Sequence, residues 1–302
     1  MSGIRGLAVV LEALGTWRRA AVVVVCAAAA LAQLLTAGAS AKPGRPELAF
    51  KPHVKAGEHL YWVNSGTHEI VEANLDGSDR RVIVNDQGTA RGIAVGGGHI
   101  YWTRLCGDPC KEVKGTVNEA NLDGSDPRTI VTGQDSPTGI AVTSSHIYWS
   151  VNDQVRVANL DGSDPHNFHA AFRPGGVAVD SGHIYWVAPA LGGLIDRANL
   201  DGSDVRAILT NQFDTWGIAA DNSHIYWADH ENGTINVANP EGRDAKTIIT
   251  GQHTPLGVAL AGGHVYWAND GNGTINEANL DGSDPKAIST NQAPYGVAAG
   301  GP

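Results

Sequence analysis

The sequence predicts an all-β fold, a six-bladed β-propeller whose four-stranded antiparallel blades stand around a central channel. Three repeating phrases carry the prediction. The first is a histidine, an aliphatic residue, then Tyr-Trp, beginning at His59, His99, His146, His183, His224 and His264, at intervals of 40, 47, 37, 41 and 40 residues. The second is Ala-Asn-Leu-Asp-Gly-Ser-Asp, at 73–79, 120–126, 158–164, 198–204 and 278–284, with a degraded copy, Ala-Asn-Pro-Glu-Gly-Arg-Asp, at 238–244. The third is Gly-(Ile/Val)-Ala, opening at Gly92, Gly139, Gly176, Gly217, Gly257 and Gly296. A period near forty in a chain of short strands and turns marks a circular array of small sheets, one per repeat.

Each phrase is one step of a blade. Gly-Ile-Ala is a short apolar strand, slim enough to crowd near an axis. His-Ile-Tyr-Trp is the second strand, with aromatic and β-branched residues on both faces, as a strand buried between neighbouring sheets requires. Asn232-Gly233 and Asn272-Gly273 are hairpin turns into the third strand. Asp-Gly then turns the chain into a fourth, outer strand such as 129–131 or 247–249. The first repeat starts at its second strand, and a lone first strand opens at Gly296 near the C-terminus. The C-terminal strand is therefore expected to complete the first blade and to cover two edges that would stay open.

The first 41 residues read as a signal peptide or an N-terminal membrane anchor. Arg18-Arg19 precedes an apolar run at 20–35 that ends in small residues at 36–41, with Ala-x-Ala patterns at 37–39 and 39–41. Residues 42–56, with Pro43 and Pro46, read as a linker, and 57–302 as the propeller. From Lys42 onward 18 basic residues stand against 30 acidic ones. That balance excludes nucleic acid or an anionic membrane surface as partner, because both need basic patches. Cys106 and Cys110 lie in Cys-Gly-Asp-Pro-Cys; in an exported chain they are expected to form a small disulfide that staples the longest loop.

The unit resembles the YWTD repeat of the low-density lipoprotein receptor class B family, over roughly residues 57 to 302. The matching features are the six Tyr-Trp pairs, the Ala-Asn-Leu-Asp-Gly-Ser turns, and Pro-x-Gly-(Ile/Val)-Ala strands such as those at Pro137 and Pro255. The resemblance implies an extracellular, non-enzymatic domain that binds other proteins. The final Asp of the name motif survives only as Asp229; it is Asn64, Asn269 and Arg104 elsewhere, so family contacts made through it are not carried over. No cysteine-rich or growth-factor-like modules flank the ring, so the resemblance implies a fold and a binding role and does not imply a lipoprotein receptor. Related bacterial six-bladed propellers include hydrolases and lyases, which keeps an enzyme as the alternative; a structural cell-surface protein is the third.

The repeat supplies its own test for function: side chains present in every blade hold the ring, and those that break the pattern on one face are candidates. The six motif histidines belong to the first group, since neighbours about 10 Å apart cannot share a zinc ion that needs ligands at about 2 Å. The Asp-Gly-Ser-Asp turns lack the ligand series of a calcium loop and read as β-turns. No metal or cofactor is expected. Trp216 is the one off-motif tryptophan of the propeller and Tyr295 its one off-motif tyrosine. Both stand just before a strand-opening glycine, at a position filled round the ring by Arg91, Thr138, Gly175, Trp216, Leu256 and Tyr295. Trp216, Leu256, Tyr295 and Arg91 are consecutive and predict an apolar arc ending in a guanidinium at the channel mouth, a composition typical of binding hot spots. Loops expected on the same face carry Asp229, His230 and Glu231, with Arg104, Lys111, Asn269 and Asp270. Phe172, Arg173, Phe213, Asp214 and His253 are weaker companions. Asn232-Gly233-Thr234 and Asn272-Gly273-Thr274 satisfy the glycosylation pattern and serve the hairpins equally well. The sequence thus predicts an exported monomeric module that recognises an extracellular protein or small ligand at the channel mouth.

Overall fold

The computed structural model describes residues 57–105, 114–190 and 192–301. Twenty-four strands form six four-stranded antiparallel sheets. Blade 1 holds β1 (His59–Asn64), β2 (Glu69–Asn74) and β3 (Arg81–Val84), with β24 (Pro294–Gly300) as its inner strand. Blade 2 is β4 (Ala90–Gly96), β5 (His99–Arg104), β6 (Gly115–Asn121) and β7 (Arg128–Gln134); blade 3 is β8 (Ile140–Val142), β9 (His146–Val151), β10 (Gln154–Asn159) and β11 (His166–Ala170). Blade 4 is β12 (Val177–Val179), β13 (His183–Ala188), β14 (Leu194–Asn199) and β15 (Arg206–Leu209). Blade 5 is β16 (Thr215–Ala220), β17 (Ile225–Asp229), β18 (Thr234–Ala238) and β19 (Lys246–Ile249); blade 6 is β20 (Pro255–Ala261), β21 (His264–Asn269), β22 (Thr274–Asn279) and β23 (Lys286–Ser289). The C-terminal strand closes the ring as the sequence predicts: β24 pairs antiparallel with β1, Leu60 opposite Ala299 and Trp62 opposite Val297. The leader, linker and disulfide expectations fall on residues outside those described.

The Tyr-Trp pair explains why the blades stack. Successive side chains of a strand point to opposite faces, so each tyrosine meets one neighbouring blade and each tryptophan the other. Tyr61 packs in one cluster with Trp102, Tyr101 with Trp149, Tyr148 with Trp186 and Tyr185 with Trp227. Tyr226 with Trp267 and Tyr266 with Trp62 complete the circle. The core is therefore six clusters at six junctions, and all twelve rings are buried. Burial also pushes the tyrosine hydroxyls up, that of Tyr101 to about 12.

Five junctions share a latch. Gln292, Gln87, Gln134, Gln212 and Gln252 each accept a bond from the indole N–H of Trp62, Trp102, Trp149, Trp227 and Trp267, at 2.8–3.2 Å. Each glutamine then donates its amide N–H to the backbone carbonyl two residues earlier. A buried indole N–H needs such a partner.

The Asp-Gly-Ser-Asp phrase is a turn held by its own side chains. Asp76 Oδ1 accepts from both the backbone N–H (2.9 Å) and the hydroxyl (2.6 Å) of Ser78. Gly77 sits at φ 81°, and a Cβ there would lie 2.2 Å from the Ile288 carbonyl of the preceding blade. Hydrogen bonds from the turn serine hold Asp76, Asp123, Asp161, Asp201 and Asp281 below the usual carboxylate range. Folded values below the unfolded one contribute stability that is complete above about pH 4 and is lost as pH falls through the folded values. Acid titration followed by circular dichroism is expected to show a midpoint that moves to higher pH when the five serines 78, 125, 163, 203 and 283 are replaced by alanine.

Where the repeat breaks, it breaks in pairs. Glu72, Glu119 and Glu277 on third strands bind Arg81, Arg128 and Lys286 on outer strands. Blade 4 has Arg197 at that position, 5% exposed. Its guanidinium binds Glu241, which also accepts from Arg206 at 2.7 Å. Glu241 belongs to the degraded turn at 238–244, so the glutamate that departs from the repeat answers the arginine that departs from it next door.

Candidate binding surface at the channel mouth

Six glycines form a collar around the axis. A Cβ on Gly92 would lie 2.3 Å from the Thr138 carbonyl, on Gly139 2.5 Å from that of Gly175, and on Gly176 2.4 Å from that of Trp216. On Gly217 it would lie 1.8 Å from that of Leu256, on Gly257 2.8 Å from that of Tyr295, and on Gly296 2.4 Å from that of Arg91. Each inner strand thus abuts the next, and the sixth contact returns to the first. The residue before each glycine is carried to one end of the channel. Arg91, Thr138, Gly175, Trp216, Leu256 and Tyr295 all line one cavity of about 210 Å³, whose remaining wall is alanine, valine, isoleucine, leucine and glycine.

The arc is unevenly occupied. The Arg91 guanidinium lies 4.2 Å from the centre of the Tyr295 ring, within cation–π reach. Its Nε is buried and has no hydrogen-bond partner. Arg104, paired in register with Ala90 on the adjacent strand, likewise has a buried Nε without an acceptor. Leu256 is buried in the channel wall. Thr138 turns its hydroxyl to Ser150 at 2.8 Å.

On the opposite side Trp216 is held by a residue of the same connection. Its indole N–H donates to Asp214 Oδ1 at 2.9 Å, and Asp214 Oδ2 lies 2.9 Å from His230 Nδ1. Asp214 sits at φ 56°, which aims its carboxylate back across the turn. The structure therefore joins Trp216 and His230 through Asp214, a residue the sequence had placed among the weaker companions. Asp229 takes a different role. Both its oxygens are held by Asn232, through the backbone N–H and the side-chain amide at 2.8 Å each, and it shapes the β17–β18 hairpin. Glu231 is exposed at the tip of that hairpin. Phe172 (46% exposed) and Phe213 (52% exposed) are the exposed aromatics among the described residues, on the connections that enter blades 4 and 5. Exposed phenyls are a signal the sequence could have given only with the register of those connections in hand.

The motif histidines stay at their turns: His59 lies 2.8 Å from Glu72, and His99 and His264 face the carbonyls of Gly97 and Gly262. Among the described residues no three His, Cys, Asp or Glu side chains are grouped for a metal ion.

Comparison with known proteins adds a local similarity and a fold. Residues 58–95 match the model of the low-density lipoprotein receptor repeat class B. No curated protein sequence matches the chain. Chains from solved structures match in large number, 913 of them, so the ring alone selects no partner. One such structure, of a nidogen/laminin complex, has a TM-score of 0.70 at 23% identity, covering 80% of this chain and 98% of the other. At that identity the likeness shows the fold. The chain is thus a six-bladed β-propeller, and its residues 58–95 are similar to the low-density lipoprotein receptor repeat class B.

Proposed function

We propose that this propeller is an exported, non-enzymatic binding module that recognises a partner protein at the channel mouth. The observation that carries the reading is the Arg91 guanidinium, stacked on Tyr295 with its buried Nε left without an acceptor. The guanidinium lines the channel cavity, and a carboxylate from a partner would pair with it through charge-assisted bonds. Trp216, fixed by Asp214, and the exposed Phe172 and Phe213 supply the aromatic anchors that dominate protein interfaces. The similar chain of known structure comes from a nidogen/laminin complex, which supports a protein as the partner class. The apolar run at 20–35 and the excess of acidic residues support a module outside the cytoplasm, either released or tethered.

The Asp214–His230 pair is the one feature that favours a hydrolase or lyase. Asp214 spends its other oxygen on Trp216, so the pair reads first as the support of an anchor. The test is affinity capture from the extracytoplasmic fraction of the source cells, with the wild-type propeller and the Trp216→Ala, Tyr295→Ala double variant as baits. Two hot-spot truncations of about 2 kcal/mol each weaken binding by roughly a thousandfold. The variant is expected to melt as the wild type does and to lose the captured partner; equal capture by both baits removes the proposal.

A further inference from the structure

The cavity behind the mouth has an uneven lining. Arg91 is the one charged residue that lines it. Toward the other end the inner strands bring Val95, Val142, Val179, Ala220, Leu260 and Ala299 to the same cavity. These six share one repeat position, three residues after the strand-opening glycine. The cavity is thus cationic at its mouth and apolar at its far end. Its volume is about 210 Å³, and a cavity of about 150 Å³ is enough to hold one benzene molecule.

Arg91 is also set apart by its surroundings. Arg81, Arg128, Arg197 and Arg206 each bind a carboxylate of the blades. Among the described residues Arg91 has no such partner. Its guanidinium lies 4.2 Å from the centre of the Tyr295 ring instead. A guanidinium held on an aromatic face keeps its N–H edge for a planar carboxylate. The way in is open, because Gly175 adds no side chain and Thr138 turns its hydroxyl to Ser150. Trp216 has its indole N–H taken by Asp214, so its ring offers the cavity apolar surface.

We propose that the channel is a small-molecule site for a monocarboxylic acid with a compact apolar body, an aryl or branched short-chain acid. The carboxylate sits on the Arg91 guanidinium, and the body lies against Trp216, Leu256 and the aliphatic wall. Ligand pockets combine an apolar lining with a few polar groups that fix orientation, and here one guanidinium does so. Other ligand classes fit this lining less well. A dicarboxylate or a phosphate ester brings a second charge to a wall that offers no second cation. A polyol leaves hydroxyls against aliphatic side chains, where they lose water and gain no partner. The site goes beyond recognition of a protein, since it needs no partner chain. The acid and a partner's carboxylate compete for the same guanidinium.

Saturation-transfer NMR on the full-length chain tests this, with benzoate, benzamide and acetate as probes. Benzoate is expected to bind with a dissociation constant on the order of a millimolar or tighter, the range open to a ligand of its size. Benzamide keeps the ring without the charge, and acetate keeps the charge without the ring. Each is expected to bind about tenfold or more weakly than benzoate. Arg91→Gln is expected to bring benzoate down to the level of benzamide. No saturable benzoate binding, equal binding of benzamide or acetate, or benzoate binding unchanged in Arg91→Gln overturns the proposal. Should that variant not fold, the wild-type comparison of the three probes decides alone. Partner capture is read with no acid present, so the two readings fail separately. Capture without benzoate binding removes only the acid site, and benzoate binding without capture removes only the protein partner.

Discussion

Removal of residues 293–302 is expected to leave no folded protein. The deleted stretch holds β24, which pairs with β1 from His59 to Asn64. Its Val297 and Ala298 belong to two different junction clusters, those of Trp62 and Trp102. The loss therefore spreads to both flanks of blade 1. Two buried apolar side chains contribute about 1.5–3 kcal/mol for the valine and less for the alanine, and each ladder bond adds about 1 kcal/mol. Trp62 and Leu60 would also lose cover. The total is comparable with the 5–15 kcal/mol that separates most domains from unfolding. The measurement is a thermal melt by circular dichroism with a dye that reports exposed apolar surface. A truncated chain with a cooperative melt close to that of the full chain would show that β24 is dispensable. Adding a peptide of residues 293–302 is expected to restore the melt by strand addition.

The second large effect is at the collar. Gly217→Ala would put a Cβ 1.8 Å from the Leu256 carbonyl, with the Leu256 carbonyl carbon at 2.9 Å and the Gly257 Cα at 3.0 Å. All three obstacles are backbone, so no rotamer relieves the clash. Overpacking typically costs about 1–3 kcal/mol and occasionally more, and a rigid closed ring places this change at the upper end. Gly182→Ala is the control, because its Cβ would meet only Asp180 Oδ1 at 3.9 Å. Denaturant titration should shift the midpoint strongly for Gly217→Ala and little for Gly182→Ala. Equal midpoints would mean that the inner strands can slide apart.

The architecture was readable because each repeated residue has one physical job. Tyr and Trp alternate across a strand, so a sixfold Tyr-Trp could only be a strand sandwiched between two blades. Gly before Ile-Ala had to approach something closely, and the something is the neighbour's carbonyl. The mouth was readable in part for the same reason: Trp216 and Tyr295 share a repeat position and so share one end of the channel. What stayed hidden depends on distances between connections. Asp214 looks like any loop aspartate until its positive φ turns it toward both Trp216 and His230. Asp229 looked like a rim ligand because its loop was expected on the face of the arc, yet both its oxygens are held by Asn232. The glutamine latch left a trace that could have been counted, a Gln fifteen residues before the Trp in blades 2, 3, 5 and 6. Its absence at Ala171 is as informative as any aromatic.

Because the first blade borrows its innermost strand from the far end, β1 must wait for partners synthesised about 235 residues later. At ordinary ribosomal speeds that is on the order of ten seconds to a minute. Throughout that interval the nascent chain shows an unpaired Leu60-Tyr61-Trp62 edge. The topology thus leaves one edge of β1 open, the other being paired with β2, until Pro294 to Gly300 arrive.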